Sequence, residues 1–140
     1  MCAFRARPLM IGLDTNVLVR LLVDDGSAEV ERVRTWIAER AAEGHEFHVD
    51  TVVLAETVWV LDRVYGYQRG QIADALSALL NNAAYAVDAR PAVAEALALY
   101  RSGRADFADG LIAVRCRAAG CTQLASMDRA MRKLPGVVLI

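Results

Sequence analysis

Five short, mainly apolar runs, each separated from the next by a segment of helical character, constrain this chain more than any other feature. They fall at residues 9–13, 46–49, 85–87, 121–125 and 137–140. Strands that are apolar along most of their length are covered on both faces, and strands joined through whole helices run parallel. The pattern therefore predicts an α/β chain with an open, doubly wound parallel sheet. In such sheets ligands gather where the strands end, at their carboxyl ends. The residues that follow each run are the ones to inspect for function.

The intervening segments carry helix punctuation. Asp14-Thr15-Asn16 suits a helix N-terminus ahead of residues 17–23, and Asp24-Asp25-Gly26 breaks that helix. Ser27 opens a second helix in which Val30, Val33, Trp36, Ile37 and Ala41 recur at three and four residues, up to Gly44. Asp50 or Thr51 caps an apolar helix to about residue 65, stopped by Gly66. Residues 71–80, 92–100 (after Pro91) and 106–119 (closed by Gly120) follow as helices, and 128–134 as a short one before Pro135-Gly136. With 140 residues, no linker and no repeat, one domain over residues 1–140 is expected, residues 1–8 being an extension before the first strand.

Several classes are set aside. The apolar stretches near residues 52–61 are cut by Glu56 and Asp62, far short of a membrane span. Arg5 and Arg7 precede a run too short for a signal peptide, since it stops at Asp14. No membrane association and a cytoplasmic location are expected. Cys2, Cys116 and Cys121 form neither a disulfide framework nor a zinc pattern, and His45 and His48 lie far from them. The net charge of −1 excludes a polycation that coats nucleic acid. Its distribution is uneven, however. After residue 100, Arg101, Arg104, Arg115, Arg117, Arg129, Arg132 and Lys133 face only Asp106, Asp109 and Asp128, which hints at a phosphate-bearing partner.

Acidic residues stand where a parallel sheet would gather a ligand. Asp14 follows the first strand, and Asp128 follows the fourth after Ser126-Met127. Either one read singly is equally well a helix cap. Glu56 shares a helix face with Val52, Val53, Trp59 and Val60, so it is expected to be buried and to need a partner, Arg63 being the nearest cation on that face. Asp106 and Asp109 lie three apart on a first helical turn, where they make an imperfect capping box. Four or five carboxylates from four segments repel one another unless cations occupy the site, and hard divalent ions take oxygen ligands. With Mg2+ or Mn2+ such a site activates water for attack on a phosphodiester, with no His, Cys or Ser nucleophile.

Together, Leu-Asp14-Thr15-Asn16-Val-Leu, the lone Glu56, Asp106-Phe-Ala-Asp109-Gly-Leu-Ile-Ala and Ser126-Met-Asp128 resemble the PIN-domain ribonucleases. The likeness is greatest to the VapC toxins of VapBC toxin–antitoxin pairs, and covers nearly the whole chain in order and spacing. It implies a PIN-like α/β/α sandwich with a short central parallel β-sheet flanked by helices. It also implies a Mg2+- or Mn2+-dependent endoribonuclease, a homodimer, and inhibition by a VapB-like antitoxin. The substrate implied is RNA, with tRNA and rRNA as candidates. By motif, Asp14, Glu56, Asp109 and Asp128 become the catalytic and metal-binding acids, with Asp106 a rival to Asp109 for the third place. Thr15, Asn16 and Ser126 become supporting residues. Gly110 departs from the family, where Ala is commoner.

Two other readings use the same residues. A phosphoacceptor domain could use Asp50 but would need Lys133 at a strand end, and Lys133 lies inside the last helical segment. An aspartyl phosphatase needs a second Asp where Asn16 stands. A non-enzymatic PIN-like module that binds RNA or protein would be free to lose one of the four acids, and all four are present.

Overall fold

The computed structural model describes residues 7–140; Cys2, Arg5 and most of the expected extension lie outside them. The elements run β1 (Met10–Gly12), α1 (Thr15–Leu22), α2 (Ala28–Ala42), β2 (Glu46–Val49), α3 (Thr51–Arg63), α4 (Arg69–Leu80), β3 (Tyr85–Val87), α5 (Arg90–Arg101), α6 (Phe107–Ala118), β4 (Leu124–Ser126), a 3-10 turn (Arg129–Lys133) and β5 (Val137–Leu139). All strand pairs are parallel. The alternating α/β architecture expected from the sequence is therefore present.

β1, β2 and β3 form one sheet in that order, with Ile11, Phe47 and Tyr85 in register. β2 is central, which explains why Phe47 and Val49 are fully buried. The Phe47 ring lies between Trp36 of α2 and Tyr85 of β3, at centroid distances of 6.3 and 5.6 Å. Leu18, Leu54, Leu61, Ile72, Leu76, Val93 and Phe107 bring α1, α3, α4, α5 and α6 onto the same core. His45 is structural: its Nδ1 accepts from the Leu9 N–H at 2.9 Å and helps to hold the chain leading into β1.

The last two strands depart from the single sheet that the alternation suggested. β4 pairs with β5, Ala125 opposite Val138, and the two make a separate sheet. Strands of three residues offer few ladder bonds, and those of β4 go to β5. Ala125, Val138 and Leu139 are exposed, so burial does not force this pair into the first sheet. Asp14 and Asp128 consequently stand at the ends of strands in two sheets, not one.

Helix boundaries follow local chemistry. Ser27 caps α2, its Oγ accepting from Val30 N–H at 3.2 Å, and Asp50 caps α3 by accepting from Val52 N–H at 2.8 Å. α4 starts two residues earlier than its apolar pattern suggests because Gln68 and Gln71 form a capping box. α5 also starts two residues early, behind Ala89 in the left-handed region at φ 50°. α6 closes with the Cys121 N–H on Cys116 C=O and the Gly120 N–H on Arg117 C=O, Gly120 taking φ 95°. Both of these cysteines are free, and Cys121 is exposed. Among the described residues no helix is long and apolar enough to cross a membrane.

Candidate active site

One half of the acidic constellation is built on the first sheet. The buried Leu13 anchors the chain after β1 through its N–H on His48 C=O at 3.0 Å. Asp14 follows at once, and its Oδ1 accepts from the Val17 N–H at 3.0 Å. That bond caps α1 and leaves Oδ2 outside the cap. Thr15, the first residue of α1, donates through Oγ1 to Glu56 Oε2 at 3.2 Å. The start of α1 is thereby joined to the middle of α3. Asn16 is exposed beside them.

Glu56 does not occupy the buried face expected for it. It is exposed, and so are Val52 and Trp59 one turn to either side, at 62 % and 61 %. The covered face of α3 is Thr51, Leu54, Thr57, Val58 and Leu61. Nor does Arg63 serve as partner: it reaches Asp62 at 3.7 Å, and Thr15 takes its place on Glu56.

The other half gathers around α6. Asp109 is the third residue of α6, half-buried, while Asp106 holds the N-cap position without capping. The Asp106 carboxylate turns instead toward Arg69 Nη2, at 3.5 Å. Burial pushes the Asp109 carboxyl above the usual carboxylate range, and the charges of Asp106 and Asp128 push it further. Asp128, beyond β4, accepts on Oδ1 from Ala130 N–H at 2.9 Å, and Ser126 Oγ accepts from Asp128 N–H at 3.0 Å. Asp128 thus caps the 3-10 turn, and Ser126 fixes the bend that aims it.

Two arginines that the sequence did not single out for a role tie these halves down. Arg115 of α6 donates to Thr51 Oγ1 at the start of α3 at 2.7 Å, linking the helices that carry Asp109 and Glu56. Arg69 donates through Nη1 to the carbonyls of Tyr100 and Ala105, at 2.8 and 3.0 Å, with its guanidinium 4.4 Å from the Tyr100 ring centre. It clamps the segment that delivers Asp106 and Asp109. Between α3 and α6 a cleft of about 160 Å3 is lined by Trp59, Asp62, Tyr100, Asp106 and Asp109 among others. Among the described residues, no three His, Cys, Asp or Glu side chains stand together at metal-ligand spacing. Asp109 is in electrostatic range of Asp106 and of Asp128, and Glu56 is held by Thr15.

Residues 11–137 match the family model of the PIN domain. The chain belongs to the PIN-domain family. The match begins within β1 and runs to the first residue of β5, so it spans every segment that supplies an acid. A curated relative, the VapC ribonuclease of Aquifex aeolicus (strain VF5), is 29 % identical over 122 residues, which cover 87 % of this chain and 90 % of that protein. Gly110, the departure noted in this PIN domain, is buried against α5: a Cβ there would lie 3.6 Å from Ala96 O and from Leu99 Cδ1. That is ordinary contact, so the Ala commoner in the family would also fit.

Proposed function

We propose that this PIN domain is a divalent-cation-dependent endoribonuclease of the VapC type, acting in the cytoplasm as a toxin that a VapB-like antitoxin neutralises. The observation that carries the reading is Asp109, a half-buried carboxylate at a helix start that shares two clefts with Asp106 and feels the charge of Asp128. Asp106 holds the N-cap position of α6 without a side-chain cap bond, so capping does not account for it. Repulsion of this kind persists where it serves binding of a cation. The donor set is all oxygen, and Asp14 and Asp128 each keep one oxygen free of their caps. By donor chemistry these residues suit a hard ion such as Mg2+ or Mn2+, although no three of them stand at metal-ligand spacing among the described residues.

Asp14, Glu56, Asp109 and Asp128, with Asp106 as the further acid, would hold the ion. A bound ion of this kind supplies an acidified water and stabilises charge on the phosphodiester oxygens. The chain's own residues do the rest. Thr15 orients Glu56 through its hydroxyl, and Ser126 orients Asp128 through the bend it fixes. Glu56, exposed and hydrogen-bonded to Thr15, would present its carboxylate to the ion. Arg69 and Arg115 hold α6 and its approach in register with α3 and α4. The family resemblance further implies a homodimer.

The test is to incubate the purified chain, free of any partner, with total cellular RNA and Mg2+ or Mn2+, beside Asp14→Asn and an EDTA control. Metal-dependent cleavage lost in Asp14→Asn is the expected result, and fragment mapping would then decide between tRNA and rRNA. A folded, metal-binding chain that leaves RNA intact would transfer the reading to a catalytically inactive RNA- or protein-binding module.

A further inference from the structure

The basic residues of the last forty positions separate into distinct groups once the chain is folded. Arg101 pairs with Asp74 at 2.8 Å, Arg117 pairs with Glu95, and Arg115 is held by Thr51. Arg104, Arg129, Arg132 and Lys133 remain exposed, and among the described residues none of them makes an ion pair or a side-chain hydrogen bond. Two of these four stand apart. Arg104 and Lys133 line, with Arg69, a cleft of about 190 Å3 whose other walls include Asp106, Asp109 and Met131. Arg129 and Arg132 do not line it.

Cations from three separate segments thus meet in a cleft that also contains the two acids of α6. Arg69 is already committed to the carbonyls of Tyr100 and Ala105 and to Asp106. Arg104 and Lys133 have no such engagement, and two unengaged cations beside a carboxylate cluster invite an anion. The acids themselves repel phosphate at close range, so a nucleic acid needs positive charge nearby to approach them. Phosphate contacts of this kind fix register on the protein without reading sequence.

We propose that this cleft seats a backbone phosphate of the RNA next to the scissile bond, gripped by Arg104 and Lys133. The proposal rests on the ribonuclease reading for the nature of the polymer, but the phosphate grip itself does not require cleavage. Arg132, adjacent to Lys133 and equally charged, serves as the internal control.

The experiment measures binding of a fluorescently labelled single-stranded oligoribonucleotide by anisotropy, in Mg2+, across a salt series. All variants are made in an Asp14→Asn background so that the probe stays intact, and circular dichroism confirms that each is folded. Arg104→Ala and Lys133→Ala are expected to weaken binding several-fold each. Each is also expected to lower the slope of log affinity against log salt, and the double change by about 0.7, the loss of one single-strand phosphate contact. Arg132→Ala should leave both quantities unchanged. Affinity and slope in Arg104→Ala and Lys133→Ala equal to those of Arg132→Ala would overturn the cleft, as would absence of any binding. Because cleavage by the chain carrying Asp14 is scored separately, the readings part cleanly. Cleavage with an indifferent cleft sinks only this proposal, and cleft-dependent binding without cleavage sinks only the nuclease.

Discussion

Asp14 and Glu56 stand on helices packed over the three-stranded sheet, one capping α1 and the other receiving the Thr15 hydroxyl. Asp106, Asp109 and Asp128 stand where α6 begins and where the separate β4–β5 pair ends, and there the Asp109 carboxyl is held above its usual range first by burial and then by the charges of its two neighbours. The first half is organised by hydrogen bonds that would exist with or without a ligand. In the second half Asp128 caps the 3-10 turn and Arg69 approaches Asp106 at 3.5 Å, while Asp109 makes no side-chain hydrogen bond or ion pair among the described residues. The contrast teaches how a small chain can prepare a cation site: one side supplies fixed oxygens, and the other supplies the electrostatic demand.

The largest expected effect comes from the demanding side. Asp109→Asn should lower RNA cleavage by about two to three orders of magnitude, as removal of one well-placed electrostatic group does. In the metal-free chain the same change should raise the melting temperature by about a degree or two, since it removes a repulsion at a partly exposed site. A loss of activity accompanied by a lower melting temperature would mean that Asp109 is structural and would erase the contrast.

Thr15→Val probes the organised side. Its hydroxyl acts only through Glu56, so cleavage should fall by about ten- to a hundredfold, in the manner of a residue that orients a ligand. Thr15→Ser should restore most of it. Stability should change by no more than about 1 kcal/mol, as for one hydrogen bond in a solvated setting. Activity equal to the unaltered chain would remove Glu56 from the site.

How far the two halves were legible from the sequence differs too. The parallel α/β alternation could be read because apolar runs and caps are local, and each strand was found within a few residues. Placement of Asp109 at the third position of α6 was likewise a matter of counting. Periodicity groups Glu56 with Val52, Val53, Trp59 and Val60, and of these Val52 and Trp59 share its exposure while Val53 and Val60 pack partly on the core. It does not say which face the rest of the chain covers, so burial of Glu56 is the expectation that fails. The separate β4–β5 sheet and the reach of Arg69 and Arg115 depend on tertiary placement and carry no local signal. Among the late basic residues, only folding distinguishes Arg104 and Lys133 from the paired Arg101 and Arg117.

Gly110→Ala sharpens the comparison by leaving both halves intact. The site is helical and the added methyl meets Ala96 and Leu99 of α5 at ordinary distance. Stability should rise by about 0.5–1 kcal/mol, seen in chemical denaturation, with cleavage unchanged. A fall in stability would mean that α5 and α6 are packed more closely than the structure indicates.

The smallest effect is on the pH dependence of folding. The folded chain holds the Asp109 proton more tightly than the unfolded chain does, because its carboxyl is raised. The group's contribution to stability is therefore fully present below the unfolded carboxylate pKa of about 3.9, and it is lost as pH rises through the folded value. Melting curves should show Asp109→Asn ahead of the unaltered chain at neutral pH, with the gap closing on acidification. A gap that widens toward acid would reverse the assignment.

The central claim is that both halves serve one cation, and calorimetric titration of Mn2+ into the metal-free chain tests it most directly. Binding that is lost or greatly weakened in both Asp14→Asn and Asp109→Asn, each still folded, is the predicted result. Binding that disappears in Asp109→Asn but persists unchanged in Asp14→Asn would contradict it, because the ion would then belong to the α6 side alone.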